Sequence, residues 1–143
     1  MILSCDPGDT TGWVIWSDNG QELYSGQMEA DEFIEHLSQS NNFVDLKTVV
    51  YEDFRLFRGR AQAQTGSRFK ASQVIGALKM LSSMTKAKQV RQETGNRDLG
   101  YKFMGTKQPS NHKISHVADA RAHGYYYLVR SGIRLTQQQE GKQ

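Results

Sequence analysis

The sequence predicts an α/β fold built on one sheet of mixed strand direction, and three observations carry that prediction. Strand-like runs come first, in hairpin order, over residues 1–28. A succession of helix, strand, helix, strand, helix follows them. Two of the strands, ILSC and TVVY, run directly into a carboxylate.

Each element has its own signal. ILSC leads into Asp6, and Pro7-Gly8 forces a turn at once. GWVIWS alternates tryptophans with aliphatics, and ELYSGQM follows the pair Asn19-Gly20. That pair is a strong hairpin signal because both residues tolerate positive φ. From Glu29 to about Ser38, Phe33, Ile34 and Leu37 recur at helical spacing with carboxylates opposite. TVVYE (48–52) is a β-branched strand ending on Glu52. Residues 53–66 read as an arginine-rich loop. From Ser67 to about Met84 the pattern is helical and apolar over more than one face, which predicts packing on more than one side. AKQVRQE (87–93) predicts a short strand, and the glycine-rich stretch GNRDLGYKFMGTKQPSN is expected to be irregular. The last helix runs from about Lys113 to Arg130. Val117, Ala120, Gly124 and Leu128 form its apolar stripe, with His116, Asp119 and His123 on the adjoining face.

At 143 residues, with two prolines and no repeat or low-complexity run, the chain reads as one domain over 1–132. A flexible tail over 133–143 is expected after it. No basic stretch followed by a long apolar one opens the chain, so no signal peptide is expected. No segment approaches the roughly 20 apolar residues of a membrane span. The single cysteine, Cys5, is expected to be a small buried side chain in a reducing compartment. A soluble cytoplasmic protein is the expectation.

The net charge of +3 conceals a strong asymmetry. Residues 1–53 hold 11 Asp/Glu against one Lys/Arg, whereas residues 54–143 hold 17 Lys/Arg against 4 Asp/Glu. Solvated faces can segregate by sequence in this way. The alternative is a carboxylate-bearing centre ringed by a basic surface for a polyanion, with nucleic acid the obvious class.

A carboxylate at the end of an apolar strand is costly to bury unless something cationic meets it. Asp6 and Glu52 both stand at strand ends and converge if their strands are neighbours. Asp119, with His116 one turn before it, can close the cluster from the last helix. Hard oxygen ligands of this kind hold Mg²⁺ or Mn²⁺, and two such ions about 4 Å apart clamp the attacking and leaving oxygens of a phosphodiester. Taken singly, each residue has a plainer reading: Asp6 as a turn residue, Glu52 as a loop entry beside Asp53, His116 as a surface histidine.

The ordered set resembles a known family. Asp-Pro-Gly followed by Thr-Gly-Trp, a strand-end Glu, and the late helix HVADARAHGYYYL are similar to the RuvC-like Holliday-junction resolvases of the ribonuclease H-like superfamily. The late motif is especially similar to the short phage members, and KASQVIGALKML resembles the family's central helix through Gln73 and Gly76. The resemblance covers roughly residues 1–130. It implies a five-stranded mixed sheet in the order 3-2-1-4-5 with helices on both faces. It implies that Asp6, Glu52 and Asp119 are catalytic metal ligands and that His116 fills a fourth ligand position. Histidine binds there as neutral imidazole, which makes activity sensitive to pH near its pKa. Two Mg²⁺ ions, with Mn²⁺ as a substitute, would serve hydrolysis that leaves a 5′-phosphate, and Asp6 would bridge them. Asp9, Asp53 and His123 are weaker candidates nearby.

Family members act as homodimers on branched DNA, which matches protein symmetry to the four-way junction. The helix from Ser67 to Met84 is the expected interface. After Glu52, Arg55, Arg58, Arg60, Arg68 and Lys70 suit phosphates, and Phe54 or Phe57 suits stacking on an unpaired base. Lys107 and Lys113 are further candidates for backbone phosphates. A viral member would work in the bacterial host cytoplasm. Competing readings are a broader branched-DNA or flap nuclease of the same superfamily, and a junction-binding module without catalysis. A sugar-kinase or actin-like ATPase half is disfavoured. The turn Asp6-Pro7-Gly8-Asp9-Thr10 fits it, but the chain lacks the length for a second lobe and any adenosine-site glycine motif.

Overall fold

The computed structural model describes residues 1–39, 41–53 and 67–134. Strands β1 (Ile2–Asp6), β2 (Thr10–Trp16) and β3 (Glu22–Glu29) form an antiparallel meander. Helix α1 (Ala30–Gln39) and a 3₁₀ turn (Asn41–Phe43) lead to β4 (Thr48–Glu52), which lies parallel to β1. Then come α2 (Ser67–Thr85), β5 (Lys88–Gln92) parallel to β4, α3 (Thr94–Met104) and α4 (His112–Arg130). The strand order is β3-β2-β1-β4-β5, as expected. Among the described residues, no helix is long and apolar enough to cross a membrane.

The two central strands explain why the sheet is covered on both faces. Residues 2–5 and 48–51 are buried throughout, the mark of strands with helices above and below. Successive side chains alternate between faces. Leu3, Cys5, Val49 and Tyr51 pack with Phe33 and Leu37 of α1 and Val74 and Leu78 of α2. Ile2 and Val50 pack on the other face with Tyr101 of α3 and Ala120, Tyr125 and Leu128 of α4. Fully buried side chains such as Leu3, Phe33 and Leu78 each contribute about 1.5–3 kcal/mol. Cys5 is buried and free, as expected.

Asp6 and Glu52 belong by alternation to the α4 face. The parallel register pairs Cys5 with Tyr51, so the next step along both strands brings Asp6 beside Glu52. Strand parity therefore aims both carboxylates toward the helix that carries His116 and Asp119.

Three expectations need correction or refinement. The hairpin between β2 and β3 turns on Gly20 alone, at φ +84°, while Asn19 keeps a negative φ. The loop closes through Ser17 N–H to Gln21 O at 2.8 Å and Gly20 N–H to Ser17 O at 3.0 Å. This longer loop is compatible with the bulge at Ile15/Trp16, whereas a two-residue turn is not. The stretch expected to be irregular contains α3. Gly95 and Gly100 hide its periodicity, but its ends are well capped. The Asn96 side chain accepts from the Glu93 N–H at 2.8 Å, and Gly105 closes the helix at φ 71°. Gly100 is needed there, because a Cβ would sit 2.0 Å from the Ala122 carbonyl oxygen of α4. Finally, α2 buries one face through Ala71, Val74, Ile75 and Leu78, while Phe69, Met80 and Met84 are 72, 59 and 78% exposed.

The Arg121 guanidinium of α4 grips the Glu22 carboxylate of β3 through two bonds of 2.7 and 2.9 Å. The Arg121 hydrogen bond holds Glu22 below its ordinary value despite partial burial. Its contribution is therefore complete above 4.5 and is lost as the pH falls through the depressed value. Both side chains are about a third exposed, so Glu22→Gln should cost about 0.5 kcal/mol or less at neutral pH. Denaturant titration should show that gap to wild type closing in acid.

Candidate active site

At the carboxyl ends of β1 and β4 a pocket of about 270 Å³ is lined by Asp6, Pro7, Gly8, Glu52, Arg97, His116 and Asp119. All four expected ligands thus meet at one place. Asp6 Oδ2 lies 3.1 Å from His116 Nδ1. Burial holds the Asp6 carboxyl above its ordinary value. The His116 hydrogen bond pulls it back, and Asp119 and Glu52 push it up further. His116 is raised in turn, chiefly by its bond to Asp6.

Glu52 is held from behind. Its Oε2 is 2.9 Å from Nε2 of the fully buried His123, whose Nδ1 is 2.7 Å from Gln92 Oε1. Thr94 donates to Glu52 Oε1 at 2.7 Å. Burial works to raise Glu52, but the His123 and Thr94 hydrogen bonds outweigh it and leave the carboxyl below its ordinary value. Asp119, itself buried, accepts from Tyr101 at 2.6 Å and from the Gln108 amide at 3.0 Å on both oxygens. Burial and that bond push the Tyr101 hydroxyl well above the usual range.

Arg97 enters from the first turn of α3. Its Nη1 is 3.6 Å from Asp119 Oδ2 and 3.9 Å from Glu52 Oε2. Burial lowers its pKa, and Asp119, Glu52, Asp98 and Asp6 more than offset this. Sequence reasoning missed Arg97, Thr94 and Tyr101 because it missed α3, and it missed Gln108 in the loop beyond. The capping pattern Glu93–Asn96 and the closing Gly105 were the available signals.

The weaker candidates separate. His123 supports Glu52 from within the core. Asp53 faces Arg91 at 3.8 Å on the β5 side. Exposed Asp9 lines another concavity, with Glu29, Asp31 and Lys70. Lys70 is engaged with Asp31 at 2.8 and 2.7 Å. Lys107 and Lys113 are exposed, the first beside Gln108 and the second one turn before His116. Phe54, Arg55, Phe57, Arg58, Arg60, the side chain of Arg68 and the tail over 135–143 lie outside the described residues. A larger hollow, of about 480 Å³, lies at the opposite strand ends between Met1, Asp18, Val44 and Lys47. Asp18 there is paired with the chain amine and with Lys47.

The donor set of three carboxylates and one imidazole suits a hard divalent cation. Among the described residues, however, no three His, Cys, Asp or Glu side chains are gathered closely enough to hold one ion as they stand. Each donor is turned to a protein partner, and Arg97 stands between two of them. The residues fit such an ion by type and by their convergence on one pocket.

No protein-family model matches the chain, and no curated protein matches it. Solved structures do. A structure described as T. thermophilus RuvC in complex with Holliday junction substrate matches at a TM-score of 0.61 and 15% identity, covering 94% of this chain and 97% of that one. A second Thermus thermophilus RuvC structure matches at 0.57 and 15% identity, covering 94% and 98%. The fold is of the ribonuclease H-like class. Within that class its mixed sheet and flanking helices follow RuvC.

Proposed function

We propose that this chain is a metal-dependent, structure-selective DNA endonuclease that resolves four-way junctions by paired nicking. The observation that carries the reading is the meeting of Asp6, Glu52, His116 and Asp119 in one pocket, at the strand ends of a RuvC-like fold. Asp6, Glu52, His116 and Asp119 would hold Mg²⁺ or Mn²⁺. Two such ions supply activation of the attacking water and stabilisation of the departing 3′ oxygen.

The chain's own residues prepare that chemistry. His123 and Thr94 fix the Glu52 carboxylate, while Tyr101 and Gln108 fix Asp119, so neither must be ordered when substrate arrives. Lys107 and Lys113 place positive charge on the helix bearing Asp119 and the loop before it, where backbone phosphates would lie. The exposed Phe69, Met80 and Met84 of α2 supply an apolar face for a second copy. A two-fold pair of pockets then addresses symmetric strands of a junction.

The test offers labelled four-way junction, matched linear duplex and flap DNA to the purified protein, with Mg²⁺ or with EDTA. Paired nicks in the junction alone, absent in EDTA, and a sedimenting mass of two chains are expected. Equal cutting of flaps would replace the reading with a general branched-DNA nuclease. Tight junction binding without cleavage in Mg²⁺ or Mn²⁺ would leave a binding module.

A further inference from the structure

Arg97 is placed oddly for a structural ion pair. Its side chain is 19% exposed and its guanidinium sits among the pocket's carboxylates, yet its approaches to Asp119 and Glu52, 3.6 and 3.9 Å, are too long for hydrogen bonds. Its hydrogen bonds go to its neighbour Asp98, at a long 3.4 Å. The bidentate geometry that makes arginine–carboxylate pairs strong is absent from the pocket, although Arg121 achieves it elsewhere with Glu22. Meanwhile Glu52 and Asp119 each keep other partners, His123 with Thr94 and Tyr101 with Gln108. The carboxylates therefore stay in place whether or not Arg97 does. A cation is present where charge demands one, held by long contacts to Asp98, Asp119 and Glu52 and by no bidentate pair.

We infer that Arg97 is the metal-free counter-ion of this pocket, a tethered cation standing between Glu52 and Asp119 that a divalent ion must displace. The inference rests on the metal-binding reading above and adds to it a competitor built into the chain. Arg97 neutralises clustered carboxylates while the pocket lacks metal, and it weakens metal binding by the same interaction. Arg97 lines the pocket with its side chain partly exposed, so a rotation of that side chain would carry the displaced charge toward solvent.

Calorimetric titration with Mn²⁺ tests this on the wild type, Arg97→Gln and Lys102→Gln, an exposed charge removed from the same helix. Loss of a unit charge this close to the ligands should tighten Mn²⁺ binding by about tenfold or more in Arg97→Gln. The solvated control should change it by less than about twofold. Equal affinity in wild type and Arg97→Gln, weaker binding in Arg97→Gln, or equal tightening in both variants would each overturn the inference and leave the metal site standing. Binding by none of the three proteins would overturn the metal reading and the inference together. The native chain supplies a second readout. The Nε–Hε nuclear magnetic resonance signal of Arg97 should shift as Mg²⁺ saturates the pocket, and a signal unmoved at saturation overturns displacement.

Discussion

Asp6→Asn should abolish junction cleavage while leaving the protein at least as stable as wild type. The two effects have one cause. Asp6 is the most enclosed strand-end carboxylate, 15% exposed, at the centre of the convergent set, and burial raises it above its ordinary 3.8. A raised acid is one whose charged form the fold disfavours, so at neutral pH the carboxylate destabilises the metal-free protein. Asparagine removes that charge and keeps an oxygen or amide for His116. The melting temperature of metal-free Asp6→Asn should equal or exceed that of wild type at neutral pH. The difference should vanish as the pH falls below 3.8, where aspartate is protonated in both folded and unfolded chains. Activity moves the other way. On the proposed two-ion reading, loss of a charged ligand would remove several kcal/mol of stabilisation, so cleavage should fall by at least about a thousandfold. Junction affinity measured in EDTA should change little. A variant that still nicks junctions within tenfold or so of wild type would remove Asp6 from the chemistry. A variant that melts lower would show that the carboxylate serves the fold.

Such a trade between stability and site is what makes part of the pocket readable in sequence. A carboxylate that ends an apolar strand contradicts the local pattern, and contradictions of that kind collect at functional sites. Asp6 and Glu52 were visible for this reason, and period-two alternation was enough to place both on one face once the strands proved adjacent. His116 and Asp119 were visible through helical spacing. Arg97, Thr94 and Tyr101 broke no local rule. They lie on α3, whose Gly95 and Gly100 read as loop residues because helix propensity disfavours glycine. Tertiary packing reversed that reading. Gly100 is where the backbone of α3 touches that of α4 at Ala122, so the residue that obscures the helix in sequence is the one that lets it dock. The turn at Gly20 was visible as a turn but not in type, because loop length is set by the β2–β3 bulge and not by the Asn-Gly pair alone.

The second large effect is expected from one methyl group. Gly12 is buried on β2 directly opposite Asp6 in the antiparallel register. A Cβ at this position would lie 1.9 Å from the carbonyl oxygen of His116, 2.2 Å from its carbon and 2.6 Å from the nitrogen of Val117. All three are backbone atoms of α4, so no side-chain rotation can make room. The helix must move off the sheet, or β2 must bend. Gln27 of β3 resists the first movement, since its side-chain oxygen accepts from the Val117 N–H at 3.2 Å. Overpacking commonly costs 1–3 kcal/mol, and backbone against backbone puts Gly12→Ala at about 3 kcal/mol or more by chemical denaturation. The functional loss should exceed what the fraction unfolded explains. Displacement of α4 carries His116 away from Asp6, whose 3.1 Å contact joins helix to sheet in the pocket beside the 2.9 Å contact of His123 with Glu52. Metal affinity measured on the folded fraction at low temperature should therefore fall together with cleavage. Gly12→Ala with native stability would mean that α4 approaches β2 less closely than here, and that the glycine of Thr-Gly-Trp serves the turn after Asp6. Lost stability with native metal affinity would separate the packing of α4 from the placement of His116. The Thr-Gly-Trp signature is then physical. Glycine sits where the last helix must touch the sheet for a histidine and an aspartate, 110 residues apart in the chain, to meet.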